Sequence, residues 1–284
     1  MPTKIEWADE VWNPITGCSK ISPGCVNCYA ERFAKRLAGR CGYPKDNPFQ
    51  VKVHYDRLKN VDFGKKPKRI FVCSMSDLFH DKVPKFAIDN VLEIIAANPL
   101  HTFIVLTKRP QNLDDKLYEP DPEMAPIREL GGGDYLPNLW LGISAENQKC
   151  FDKRIGYLLD IPAAKHIVSL EPLLGPINLG EHIKKLDWVI VGGESGNFQR
   201  YCEQLIKPDW VRSIRDQCVS ASIPFFFKQW GTYCPYNQLT EDGYGELEKA
   251  LGGQFADRYD RLFHLGKRLA GRQLDEETWD QVPQ

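Results

Sequence analysis

Between residues 69 and 230 the chain repeats one pattern: a short apolar or β-branched run that ends in polar residues, then an amphipathic stretch. The runs at 69–73, 102–106, 139–143, 166–169, 188–191 and 224–227 have the length of strands and lie between turn signals. Apolar residues at helical spacing fill the gaps at 85–97, 147–159 and 208–220. Strands that alternate with helices at this interval predict parallel βα units. The expected fold class is therefore α/β, a partial or complete βα (TIM-like) barrel of parallel strands. The chain of 284 residues is long enough to bury one large core. A single domain is expected, with 1–68 as cysteine loop, first helix and basic insertion, 69–230 as βα repeats and 231–284 as a C-terminal cap. A loop insertion at 118–138, with the run Gly131 to Gly133, breaks the rhythm; no Gly-Lys-Ser or Gly-Lys-Thr follows it, so it is not a phosphate loop.

Ahead of the repeats, residues 5–15 read as a strand or extended entry that delivers GCSKISPGCVNCY, in which Cys18, Cys25 and Cys28 have the spacing C-x6-C-x2-C. Ser22, Pro23 and Gly24 form a turn that folds the first sulfur back toward the other two. Three thiols this close favour metal or cluster binding over core packing. A structural zinc site needs a fourth ligand, and the nearest candidates, Cys41 and His54, are isolated. Three thiolates on a four-iron cluster would leave one iron open to a small molecule. Spacing alone leaves zinc and cluster both standing. A helix is expected from about Cys28 to near Gly39, followed at 42–68 by a surface excursion with an extended piece at 49–55.

The net charge is −1, but it is unevenly placed: the first seventy residues carry fourteen Lys and Arg against seven Asp and Glu, about +7, which leaves about −8 on the rest. A nucleic acid or nucleotide would be drawn to the cysteine end; a solvated basic face is the plainer reading. No apolar run reaches the length of a membrane span and the N-terminus lacks the apolar core of a signal peptide, so a cytoplasmic protein is expected. Nine cysteines, an odd number, fit a reducing compartment.

The run WNPITGCSKISPGCVNCYAERFAKRL closely resembles the opening of a phage and bacterial family of three-Cys-motif, radical-SAM-like proteins of undefined function. FVCSMSDLFH, VLTKRP, LGISAENQ, SLEPLLGPI, VIVGGESG, FFFKQWG and GKRLAGRQLD also resemble blocks of that family, so the resemblance spans nearly the whole chain. It implies a radical S-adenosylmethionine (SAM) enzyme in which Cys18, Cys25 and Cys28 hold a [4Fe-4S] cluster. SAM chelates the remaining iron, and its reductive cleavage gives a 5'-deoxyadenosyl radical that abstracts hydrogen from a substrate. It also implies an electron donor of flavodoxin or ferredoxin type. Two departures stand out: the usual spacing is C-x3-C-x2-C, and the usual aromatic residue before the third cysteine is Asn27, so Tyr29 is the candidate for the adenine contact.

In parallel α/β folds functional groups gather past the C-terminal ends of the strands. Those ends carry Ser74, Ser76, Asp77 and His80; Thr107, Lys108 and Arg109; Ser144, Glu146 and Asn147; Glu171; Glu194 and Ser195; and Lys228, Gln229 and Trp230. By the resemblance, Ser74, Ser76 or Asp77 would hold the SAM amino group in place of the usual Gly-Gly-Glu, and Ser144, Glu146 and Asn147 fall where ribose and carboxylate are held. Lys108 and Arg109 suit a carboxylate or phosphate. Glu171, Glu194 and Lys228 are the candidates for substrate chemistry, with Trp230 as a stacking face or a core residue. The alternative function is a zinc- or cluster-bearing nucleic-acid-binding protein without catalysis. Substrate and oligomeric state are not legible.

Overall fold

The computed structural model of the chain describes residues 3–59, 61–118, 135–196, 205–239, 241–251 and 262–284. Its first half contains β1 (Glu10–Trp12), β2 (Ile15–Thr16), α1 (Tyr29–Arg36), β3 (Lys52–Val53), β4 (Arg69–Val72), α2 (Lys85–Ala96), β5 (Thr102–Thr107), α3 (Leu113–Tyr118) and β6 (Leu139–Ser144). Then come α4 (Gln148–Leu159), β7 (Lys165–Leu170), β8 (Trp188–Gly192), α5 (Pro208–Ser220), β9 (Phe225–Gln229), β10 (Tyr233–Pro235), α6 (Glu241–Leu251), β11 (Leu262–His264), α7 (Lys267–Ala270), β12 (Gln273–Leu274) and β13 (Glu277–Thr278).

Seven strands form one sheet in the order β1-β4-β5-β6-β7-β8-β9, with parallel pairing at β1/β4, β4/β5, β5/β6 and β8/β9. Strand order follows chain order, as it does in a βα barrel, with the antiparallel β2–β3 pair set apart in its own sheet, and among the described residues β1 and β9 end the seven-stranded sheet without pairing to each other. The fold is α/β and the closure is partial. The strand composition explains why: Trp188, Val189, Ile190 and Val191 are all buried, as in a parallel strand covered on both faces. In α2, Ala87, Ile88, Val91, Leu92 and Ile95 make one buried face. In α5 the corresponding face is Val211, Ile214 and Cys218, behind Pro208 in the first turn, where its missing N–H costs nothing.

The chain divides into two compact units, residues 1–144 with 152–167 and residues 145–151 with 168–284. The first carries the cysteine loop on β1, β4 and β5. In the second, the tail differs from expectation: where no strand periodicity was legible, β10 pairs with β11 and β12 with β13, both antiparallel. Residues 279–281 run along β9, where Phe227 N–H donates to Trp279 O (2.8 Å) and Phe225 N–H to Gln281 Oε1 (2.9 Å). That strip covers donors an edge strand would otherwise leave open. Trp230 is buried against Phe227 with its indole N–H on Gln273 O, so it is a core residue and not a stacking face. The insertion at 118–138 lies mostly outside the described residues. Among the described residues no helix is long and apolar enough to cross a membrane.

Candidate functional site

The cysteine loop is delivered by β1 and β2 and fastened to the end of β4. Buried Asn13 accepts from Ser74 Oγ (3.2 Å) and Met75 N–H (3.0 Å), and Ser76 Oγ donates to Ile15 O (2.9 Å). Gly17 N–H then donates to Met75 O (3.0 Å) and Cys18 N–H to Phe49 O (3.1 Å). Ser74 and Ser76, expected to face a cofactor, thus use their hydroxyls to seat the loop. Gly17 has φ +84°, and a Cβ there would lie 1.9 Å from Gln50 O. Gly17→Ala is therefore expected to cost about 2–3 kcal/mol, combining left-handed strain with a clash against rigid backbone. Urea unfolding checks this, and an unchanged midpoint would contradict the packing described.

Each cysteine has a different support. Cys18 leaves the extended segment, Cys25 closes a 3-10 turn over Pro23–Cys25, and Cys28 precedes the first residue of α1. All three thiols are partly buried, unlike the buried Cys73, Cys218 and Cys234 or the exposed Cys41. Burial raises the Cys25 thiol, but the Lys108 charge and hydrogen bonds from the backbone of Ile21 and from Ser22 outweigh it and hold that thiol below its ordinary range. Burial, with the Asp77 charge, pushes the Cys18 thiol up to about 11 against the opposing pull of Arg109. Tyr29, 51% exposed, donates its hydroxyl to Ser74 O and leaves its ring at the surface of the loop. Among the described residues no three His, Cys, Asp or Glu groups converge closely enough to share one metal ion.

Asp77 is the hub behind the loop. Its Oδ1 accepts from Phe79 N–H (3.1 Å) and Thr107 Oγ1 (2.7 Å), and its Oδ2 from Lys108 N–H (3.0 Å) and Arg109 Nη1 (3.2 Å). Arg109, only 2% exposed, also donates from Nη2 to Ser19 O and Oγ (2.9 Å each) and from Nη1 to Cys18 Sγ (3.5 Å). Sequence reading offered Arg109 to an external carboxylate or phosphate, but its donors are turned onto the loop. Ser19 and His80 complete the network at 2.8 Å. His80 Nδ1 accepts the Lys82 N–H (3.0 Å), which places the proton of the neutral ring on Nε2, pointing at Ser19 Oγ. That polarity is opposite to the one a serine nucleophile needs. Ser19 was not singled out by the sequence; its position next to Cys18 was the signal.

The second unit gathers a separate group. Glu171, just past β7, pairs with Lys228 of β9 at 2.9 Å and accepts from Ser169 Oγ at 3.1 Å. A Cβ on Gly192 would stand 2.5 Å from Glu171 Oε1, so glycine there leaves room for the carboxylate. Gly192→Ala is expected to displace Glu171 with little loss of stability, since the obstructing atom ends a flexible side chain, and to remove most of any activity that needs the pair. Activity measured beside thermal unfolding separates the two effects, and full activity would release Glu171 from a role. Gln229, a strand-end residue that is 5% exposed, donates Nε2 to Gly193 O (3.0 Å), while its buried Oε1 has no partner among the described residues.

Glu194 is partly buried and lines a small cavity with Leu173, Leu174, Trp230 and Tyr233, and its carbonyl accepts the Thr232 N–H. Glu146 is buried, and Asn147 Oδ1 caps α4 by accepting the Cys150 N–H (3.0 Å). In the first unit, the Ser144 carbonyl accepts from Arg154 Nη1 (2.7 Å). The structure thus brings Cys18, Cys25, Tyr29, Ser74, Ser76, Asp77 and Lys108 into one neighbourhood, and Glu171 with Lys228 into another.

A family model for proteins of unknown function, DUF5131, matches residues 2–283. The chain belongs to that family. A comparison with curated proteins finds no match. Among solved structures the chain is similar to a cysteine-to-serine mutant of spore photoproduct lyase, at TM-score 0.42 and 13% identity, over 65% of this chain and 56% of that one. It is also similar to another mutant of that protein with bound AdoMet and dinucleoside spore photoproduct, at TM-score 0.41 and 12% identity, over 74% of this chain and 61% of that one. The chain thus spans a little over half the length of those proteins. The fold of this DUF5131 protein rests on its own strand order.

Proposed function

We propose that this DUF5131 protein is a radical-SAM enzyme whose cluster is held by Cys18, Cys25 and Cys28. The observation that carries the proposal is the placement of a three-thiol loop at the C-terminal end of the first strand of a parallel sheet, where βα loops collect. The loop is anchored there by groups from the ends of β4 and β5. The donor set fits an iron–sulfur cluster: three soft thiolates within eleven residues, on three separate backbone supports, with one iron left for a ligand from outside the chain. When bound, the cluster and SAM would supply one-electron cleavage of the sulfonium and hydrogen abstraction from substrate.

The chain's own residues bind and orient. The exposed ring of Tyr29, fixed through its hydroxyl, offers an apolar face to adenine. Lys108, on the β5 end beside Cys25, suits the methionyl carboxylate, while Ser74, Ser76 and Asp77 shape the wall behind it through the loop they hold. Ser144, Glu146 and Asn147 are assigned to ribose and carboxylate, and Glu171, Glu194 and Lys228 to substrate. The partly buried Lys228–Glu171 pair is a proton donor and acceptor already in contact. The basic first seventy residues favour a nucleotide or nucleic-acid substrate, and an electron donor of flavodoxin or ferredoxin type is required.

The test is anaerobic incubation of reconstituted protein with dithionite and SAM. Formation of 5'-deoxyadenosine is expected; a four-iron protein that leaves SAM intact, with and without added oligonucleotide, would contradict the assignment. A second reading, a nucleic-acid-binding module without catalysis, is favoured by the exposed Tyr29 and Phe33 among the cations of α1. It predicts salt-dependent oligonucleotide binding that survives removal of iron.

A further inference from the structure

Arg109 and Asp77 form a buried ion pair directly behind the cysteine loop, 2% and 7% exposed at the side chain and 3.2 Å apart. The guanidinium is pinned on every side: Nη1 spans Asp77 Oδ2 and Cys18 Sγ, Nη2 holds both oxygens of Ser19, and Nε faces Asp81 Oδ2 at 3.9 Å. Such a group cannot turn away from the sulfur, and it stays charged at any working pH. Asp77 is equally fixed, by four donors. The two charges act on Cys18 in opposite directions, and Arg109 adds an N–H aimed at the sulfur.

Reduction of a cluster adds one electron and moves no proton into this network, so fixed charges and N–H donors at the ligating sulfurs shift its potential. We infer that the Asp77–Arg109 pair sets the reduction potential of the cluster, Arg109 raising it and Asp77 lowering it, which makes both of them positioning residues for electron transfer. The inference rests on the cluster reading above. In the transfer itself, one electron passes from the reduced donor protein to the cluster and no bond is made or broken.

The experiment is a potentiometric titration, followed by electron paramagnetic resonance, of the anaerobically reconstituted wild type, Arg109→Gln, Arg109→Lys and Asp77→Asn. Each variant is first matched to wild type in iron content. Arg109→Gln is expected to move the midpoint to more negative potential and Asp77→Asn to more positive potential, each by at least tenfold in the reduction equilibrium, which is about 59 mV for one electron. Arg109→Lys, which keeps the charge but loses the fork, is expected to fall between wild type and Arg109→Gln. Shifts of the same sign, as a merely loosened loop would give, overturn the inference, as do unchanged midpoints. Where Gln or Asn variants fail to load iron, an Arg109→Lys midpoint equal to that of wild type overturns it too. A wild type that takes up no cluster defeats the parent reading instead, and this inference with it.

Discussion

Cys25→Ser is expected to abolish SAM cleavage, to the background rate, while leaving the fold intact. Cys25 sits on a short 3-10 turn, partly buried, with its own N–H donating to Ser22 O (2.9 Å) and its sulfur 3.5 Å from Ser22 Oγ. A serine side chain satisfies the same neighbours, so unfolding should stay within about 0.5 kcal/mol of wild type, as for substitutions away from packed features. Hydroxyl oxygen does not replace a thiolate on iron, and the proposed cluster, left with two thiolates, would lose an anchor. Burial raises the Cys25 thiol, but the Lys108 charge and the hydrogen bonds from Ile21 and Ser22 together hold it below its ordinary range, in the direction that eases loss of the thiol proton. Anaerobic assay for 5'-deoxyadenosine beside urea unfolding checks both halves. Undiminished cleavage would remove Cys25 from the ligand set.

Asp77→Ala should have the largest effect on stability. It removes an acceptor that receives four hydrogen bonds, and it leaves the guanidinium of Arg109 buried without its carboxylate. Breaking a buried pair from one side costs about 3–5 kcal/mol, mostly through the uncompensated charge that remains. Because Arg109 also holds Ser19 and Cys18, the cysteine loop should loosen with it, and iron uptake should fall along with stability. Replacing both partners, Asp77→Asn with Arg109→Gln, is expected to recover part of the loss, since no lone charge is then left buried. Urea unfolding of Asp77→Asn, of Arg109→Gln and of the double gives the coupling directly, and additive losses would contradict the pairing.

What the sequence disclosed and what it concealed follow from the range of the interactions. The sheet was legible because β5, β6 and β8 are parallel strands covered on both faces, so burial writes itself as an uninterrupted apolar run such as WVIVG. β10 to β13 were not legible, because strands of two or three residues have no period to read. The three cysteines stand out together in the sequence because they lie within eleven residues. Arg109 was misread because nothing in TKRP says that its guanidinium turns inward to meet an aspartate thirty-two residues earlier and a cysteine ninety-one residues earlier. Lys228 and Glu171 were each singled out as strand-end residues, but only the arrangement of β7, β8 and β9 makes them partners. Ser74, Ser76 and Asn147 have side chains engaged in local structure, a use that their residue types share with ligand binding.

The most direct test of the central claim is iron and acid-labile sulfide analysis of anaerobically reconstituted protein, with an absorption spectrum, beside a variant in which Cys18, Cys25 and Cys28 are all alanine. About four irons and four sulfides per chain are expected in the wild type, with the broad visible absorption of a cluster, and none in the variant. One tightly held zinc without sulfide, or iron retained by the variant, would contradict it.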